Sequence, residues 1–431
     1  MELAGVYFHD GFEADPPRVA PLHWSGDEWL RQLRWLQACG IGAVEFATML
    51  EFNRLPSTPL ERRKIADRLR ILDRAHRLGM KFGYLLTNTV VSTVPEGEEP
   101  GHQFGGRAKE LCPRDPVNYR RTMDLMQFWL RTFREADWFE QFAADWGGCQ
   151  CGRCGVPEYL RYVRDGAEAL RDLNGRALLY ANTWCISYWR KDPLANGWRG
   201  VFDEEIRGSR AVIDALPDLP PNVHLGLPCH HLYRPLAFEA YGGRARTPRF
   251  PAPTDVQRVA TFGRHVLAWP HFVMDDDPAR EPAWGIVHCE VRYLQAVLRA
   301  LAEVGVRRVM GNLYLPWLQL PNTYALGRFA ADVDTAPERV LAEFSQAVAT
   351  REDASALTDV LVWLENNSYW QRQMPADGRE PDLPSTLDRA TAARLAARVR
   401  ARARPSLPLP LPAEEWLDAL RRSIGRMTWA A

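Results

Sequence analysis

Phe142-Ala143-Ala144-Asp145-Trp146-Gly147-Gly148-Cys149-Gln150-Cys151-Gly152-Arg153-Cys154 is the stretch on which the reading of this chain turns. Phe139 to Ala144 reads as a buried strand. It runs into a carboxylate, an indole, two glycines and three cysteines in Cys-x-Cys-x-x-Cys spacing. An acid at the carboxyl end of a parallel strand is where barrel enzymes place their chemistry.

Outward from that stretch, further short β-type runs alternate with amphipathic helical segments. The runs are Leu3 to Phe8, Ala43 to Phe46, Lys81 to Thr87, Ala177 to Asn182, His224 to Leu227, Val266 to Trp269 and Arg308 to Leu313. Helical periodicity covers 27–38, 60–78, 117–135, 157–173, 204–216, 256–263 and 288–304, with 337–350 as an eighth helix. Several of these segments stop at a glycine just before the next strand, as at Gly79 and Gly175, which is a carboxyl-cap signal. Eight strands with helices between them predict a closed (β/α)8 TIM barrel over residues 1–350. A doubly wound sheet is the alternative. It would want a glycine-rich turn after the first strand, and His9-Asp10-Gly11-Phe12-Glu13 does not supply one. Residues 351–431 read as a C-terminal helical appendage, with helices over 356–369, 385–402 and 413–426 and a proline-rich break at 405–412.

Lys+Arg and Asp+Glu balance at 54 each in 431 residues. That leaves no global field for nucleic acid or an anionic membrane. No apolar run approaches a membrane span, and Met1-Glu2-Leu3-Ala4 lacks the basic leader of an export signal. The expectation is a soluble, cytoplasmic protein. Its eight cysteines then point to metal ligation or burial before disulfides.

The residues at the predicted strand ends are polar and aromatic in turn: His9, Glu45, Asn88, Asp145 with Trp146, Asn182 with Trp184, His230, His231 and Tyr233, Trp269, and Asn312 followed by Trp317. Aromatic rings that meet sugar C–H faces, beside amides that meet hydroxyls, describe a carbohydrate pocket. Trp24, Trp29, Trp35 and Trp129 fall at helical spacing and are expected to pack helices on the barrel. Cleavage of a glycosidic bond takes two carboxylates. Asp145 is the candidate acid, since an indole neighbour and partial burial disfavour its ionised form. Its partner is sought among Asp275, Asp276 and Asp277, with Glu45 in reserve. Three soft ligands at Cys149, Cys151 and Cys154, joined by Cys112 from the neighbouring loop, would make a closed tetrahedral zinc site of structural type. Free thiols or a Cys-x-x-Cys redox pair are the alternatives. No organic cofactor is expected.

Several stretches resemble a group of bacterial glycoside-hydrolase-like barrels related to the α-glucuronidases and, more distantly, the hexosaminidases. These are Leu111-Cys112-Pro113-Arg114-Asp115-Pro116, the Asp145 to Cys154 segment as an Asp-x-Gly-Gly-Cys-x-Cys-x-x-Cys signature, and Pro321 to Phe329 followed by Asp334-Thr335-Ala336-Pro337-Glu338. The resemblance implies a sugar-active barrel with its acid on the fourth strand, at Asp145. The functional expectation is a glycoside hydrolase for a small oligosaccharide or glycoside. The alternatives are a sugar-binding barrel without catalysis and a metal-dependent hydrolase or lyase using His230 and His231.

Overall fold

The computed structural model describes residues 1–8, 21, 24–47, 59–87, 90–92, 108–143, 149, 151–184, 186, 197–228, 250–269, 286–313, 315–367 and 387–427. In chain order the strands are β1 (Leu3–Phe8), β2 (Ala43–Ala47), β3 (Lys81–Leu86), β4 (Val90–Ser92), β5 (Ala108–Glu110), β6 (Trp138–Phe142), β7 (Leu178–Asn182), β8 (Val223–Leu227), β9 (Val266–Ala268) and β10 (Arg308–Leu313). The helices around the barrel are α1 (Gly26–Ala38), α2 (Pro59–Arg77), α3 (Pro116–Thr132), α4 (Val156–Leu173), α5 (Gly197–Ala215), α6 (Pro253–Thr261), α7 (Val291–Glu303), α8 (Leu320–Ala331) and α9 (Pro337–Val348). Beyond them lie α10 (Ala354–Asn366), α11 (Arg389–Arg398) and α12 (Ala413–Arg426).

Eight of the strands close into a parallel barrel in the order β1-β10-β9-β8-β7-β6-β3-β2. The (β/α)8 fold read from the alternation is the fold observed. β4 and β5 form a separate antiparallel ribbon after β3, which strand periodicity did not anticipate. The fourth barrel strand is shorter than its apolar pattern: it ends at Phe142, opposite Asn182 at the end of β7. Asp145 therefore lies three residues past the strand. α8 is an added helix between β10 and α9.

The strands are buried on both faces, as parallel strands in a barrel must be. Alternation divides them into two sets. Val6, Phe8, Val44, Phe46, Phe82, Phe139, Leu179, Leu225 and Val309 join the outer core beneath the helices. Tyr7, Ala43, Leu85, Trp138, Phe142, Tyr180, Leu267 and Met310 fill the barrel. Trp29, Trp35 and Trp129 pack in the outer core, Trp29 edge-on to Phe8 at 5.1 Å. Large interior side chains need small neighbours. A Cβ at Gly83 would run into the Trp138 indole, and one at Gly226 into the Glu140 carboxyl. Local signals start the helices: Ser25 and Glu28 form a reciprocal capping box at α1, and Asp115 caps α3 just ahead of Pro116.

The last three helices share the outer core. Trp416, Leu420 and Ile424 of α12 and Leu357 and Leu361 of α10 are fully buried in it, and Trp416 meets Phe344 of α9 edge-on at 5.3 Å. Polar contacts join them to the barrel's carboxyl end. The Val287 N–H donates to Ser423 Oγ at 2.7 Å, and the Arg292 N–H donates to the buried Glu365 carboxylate at 2.5 Å. No described helix is long and apolar enough to cross a membrane.

Candidate functional site

At the carboxyl end of the barrel four aromatic rings form a layer. Tyr7 stacks on Trp269 at 4.7 Å, Phe142 lies 5.9 Å from Trp184 and 6.1 Å from Trp269, and Trp184 lies 6.4 Å from Trp269. Alternation sends Tyr7 and Phe142 inward, and Trp184 and Trp269 follow the last residues of β7 and β9. Asn182 ends β7 among them: its Oδ1 accepts the Trp184 backbone N–H at 2.7 Å. From outside, the Tyr159 hydroxyl of α4 donates to the carbonyls of Gln141 and Asn182, each at 2.9 Å, bracing the ends of β6 and β7.

Within the barrel, buried against this layer, sit two carboxyl groups, Glu45 of β2 and Glu140 of β6, both inaccessible to solvent. The Trp138 indole crosses the bare Gly83 position and donates to Glu45 Oε2 at 2.5 Å. The Asn182 amide donates to Glu140 Oε1 at 2.8 Å. Burial pushes both acids above the ordinary carboxylate range. The Glu45 charge raises Glu140 further, against the amide of Asn182 and the indole of Trp269, which favour its ionised form. Further along the interior, Arg308 donates to the Tyr180 hydroxyl at 3.0 Å. The His265 N–H donates to His224 Nδ1 at 2.8 Å, and burial with nearby positive charge holds His224 down at about 3. The amino end opens on a cavity of about 1040 Å³ edged by Glu2, Asp137 and Arg308. It lies at the face opposite to the one where barrels of this kind carry chemistry.

Cys112, Cys149, Cys151 and Cys154 converge, their sulfurs all within 4.8 Å of one another. Cys151 lies 3.4 Å and Cys112 3.8 Å from Cys154. Zinc–sulfur bonds of about 2.3 Å in a tetrahedron set sulfur–sulfur edges near 3.8 Å, close to the spacing of these thiols. Gly152, at φ 71°, turns the chain so that the Arg153 N–H donates to Cys151 Sγ at 3.4 Å. Burial works against ionising Cys151, but this bond and those from Cys154 and Cys149 outweigh it and hold the thiol at about 6. Cys112 precedes α3 and Cys154 precedes α4. Arg114 ties the same two helix starts by donating to Glu158 at 3.0 Å and to the Arg153 carbonyl.

Of the residues expected from sequence, His9, Asn88, Asp145, Trp146, His230, His231, Tyr233, Asp275, Asp276 and Asp277 lie outside the described residues. Asn182, Trp184 and Trp269 are brought together in the layer. Asn312 is buried on β10, level with Tyr7. Glu45 is interior and enclosed rather than at the mouth. Trp317 lies elsewhere: a turn closed by the Leu318 N–H on the Leu315 carbonyl brings it onto Trp24, 4.9 Å between ring centres, in the helix-facing core. Glu140 went unremarked in the sequence. Its signal was a glutamate two residues from each of Trp138 and Phe142, hence on their inward face.

No protein-family model and no curated protein matches the sequence. Among solved structures, the chain is similar to a GH138 enzyme targeting pectin rhamnogalacturonan II, with a TM-score of 0.58 and 10% identity. The match covers 98% of this chain and 56% of that one, so the chain spans little more than half of that structure. An O-GlcNAc hydrolase mutant from Thermobaculum terrenum aligns at a TM-score of 0.49 and 11% identity, over 88% of this chain and 69% of that one. An exo-beta-1,4-mannosidase from an Opitutaceae bacterium aligns at 0.45 and 15%, over 79% and 60%. The first of these likenesses is one of fold, in keeping with the (β/α)8 barrel described above.

Proposed function

We propose that the chain is a glycoside hydrolase for a small oligosaccharide or glycoside, with Asp145 as general acid and one of Asp275, Asp276 and Asp277 as nucleophile or base. The observation that carries this reading is the layer of Tyr7, Phe142, Trp184 and Trp269 with Asn182 at the carboxyl end of the barrel. Aromatic faces beside an amide suit a sugar ring, which has both C–H faces and hydroxyls. The likeness in fold to glycoside hydrolases supports the class of reaction, not the sugar.

In the sequence Asp145 falls between Phe142, in the aromatic layer, and Cys149, in the thiol cluster. Zinc held by Cys112, Cys149, Cys151 and Cys154 would cross-link that segment to the start of α3. A closed four-thiolate site supplies folding energy and leaves no position for water. Glu45 and Glu140 are enclosed, so neither is assigned to substrate. A reducing compartment keeps such thiols available, in keeping with a cytoplasmic location.

Hydrolysis of a panel of aryl glycosides by the purified protein tests the reading. Release of the aryl group by the wild type, with loss of most of the rate in Asp145→Asn, is the expected result. Saturable sugar binding without any turnover would favour the sugar-binding alternative instead.

A further inference from the structure

We infer that Glu45 and Glu140 share a single proton inside the barrel and act together as a positioning pair for the floor of the site. Their outer oxygens are satisfied, Glu45 Oε2 by Trp138 and Glu140 Oε1 by Asn182. Their remaining oxygens, Glu45 Oε1 and Glu140 Oε2, are fully buried and have no donor. Glu45 Oε1 is left to Glu140, which faces it, while Glu140 also has the unpartnered indole N–H of Trp269 nearby. Two carboxylates are both acceptors, so they can bond only when one of them carries a proton. Two bare charges enclosed together would repel in a medium that screens them poorly. One acid and one carboxylate give Glu45 Oε1 a partner with the side chains already in place.

No cation offsets the pair directly: among the described residues neither glutamate forms a salt bridge. The titratable groups around it are the Tyr159 phenol of α4 and the Tyr180 phenol of β7. Arg308 of β10 donates to Tyr180, and His224 of β8 lies against the same ring at 5.6 Å. None of these can supply the missing hydrogen bond.

The pair reaches the floor through Asn182. The Asn182 amide nitrogen is held by Glu140 while its oxygen holds the Trp184 N–H. Glu140 therefore sets the amide's orientation, and that amide sets the first turn after β7. A second negative charge would pull on Asn182 and on the indoles of Trp138 and Trp269 together. This catalytic relevance rests on the glycosidase reading; the proton itself does not.

Infrared difference spectra of the wild type against Glu140→Gln and Glu45→Gln test the inference. Either glutamine places an amide N–H where the proton lay and leaves one negative charge, so both variants are expected to fold. Using both guards against a misfolded one. At neutral pH the wild type should show a carboxylic-acid C=O band that each variant lacks, and the band should vanish as the pH rises. Over the same interval the near-ultraviolet circular dichroism of the wild type should shift, while that of the variants stays constant. Glu365→Gln, which removes the other strongly raised buried acid, should keep the band. A wild-type-minus-variant spectrum without this band for both glutamine variants, or no loss of the band from the wild type on raising the pH in the Glu365→Gln background, would overturn the shared proton. Neither readout requires turnover, so the result is independent of whether the panel of glycosides is cleaved.

Discussion

The interior of this barrel is organised by a few residues that only make sense together. Trp138 reaches Glu45 because residue 83 has no side chain, and Glu140 has room because residue 226 has none. Gly226→Ala should therefore cost about 1–3 kcal/mol, the usual range for overpacking a tight interior. Urea denaturation would show it, and a variant as stable as the wild type would contradict the packing. The acids also fix a pH dependence. Glu45 and Glu140 are raised by burial, and Glu365 is pushed up to about 7 by the same cause. The folded state thus holds protons that the unfolded chain has released. Their stabilising effect is complete below the ordinary glutamate range and is lost as pH rises toward the raised values. Each such proton is worth roughly 1.4 kcal/mol per pH unit across its interval. Thermal melts from about pH 5 to about pH 8 should show a falling midpoint, less steep in Glu365→Gln. Sequence could place Glu45 at a strand end but not enclose it, because enclosure depends on rings contributed by β1, β6, and the ends of β7 and β9.

The strands were the most legible elements, since runs buried on both faces and bounded by glycine caps have few other readings. β1 and β10 begin and end where periodicity puts them. The fourth barrel strand was less legible: Ala143-Ala144 prolongs the apolar pattern past the point where pairing stops, at Phe142 opposite Asn182. The position of Trp317 depends on a turn whose direction no periodicity reports. Spacing did identify the four cysteines that meet, because Cys112 and the Cys149 to Cys154 run precede neighbouring helices. At this scale the metal is the prediction. Elemental analysis should find about one zinc per chain, unchanged in His230→Ala and His231→Ala and lost in Cys112→Ser. Cys112→Ser should also melt earlier and hydrolyse more slowly, since the Asp145 segment loses an anchor. A fully loaded Cys112→Ser protein would exclude that ligand set.

Across the whole molecule, one outer core runs from beneath the barrel helices into α10 and α12. The contacts of Ser423 and Glu365 land on Val287 and Arg292, where the chain returns from the seventh barrel strand. The C-terminal helices thus support the side of the barrel where the chain enters α7. Trp416→Ala should cost about 3–5 kcal/mol and lower the single unfolding transition of the entire chain. A variant in which only the last helices melt early would show the two parts to be independent.

The central claim is that Asp145 protonates the departing oxygen at the carboxyl end of this barrel. It is tested most directly by comparing kcat of Asp145→Asn with that of the wild type on two glycosides of one sugar, one with an acidic phenol as leaving group and one with an alkyl alcohol. General-acid catalysis matters most where the leaving group is basic. The account predicts a modest loss on the phenol and a far larger one on the alcohol; equal losses on both would contradict it.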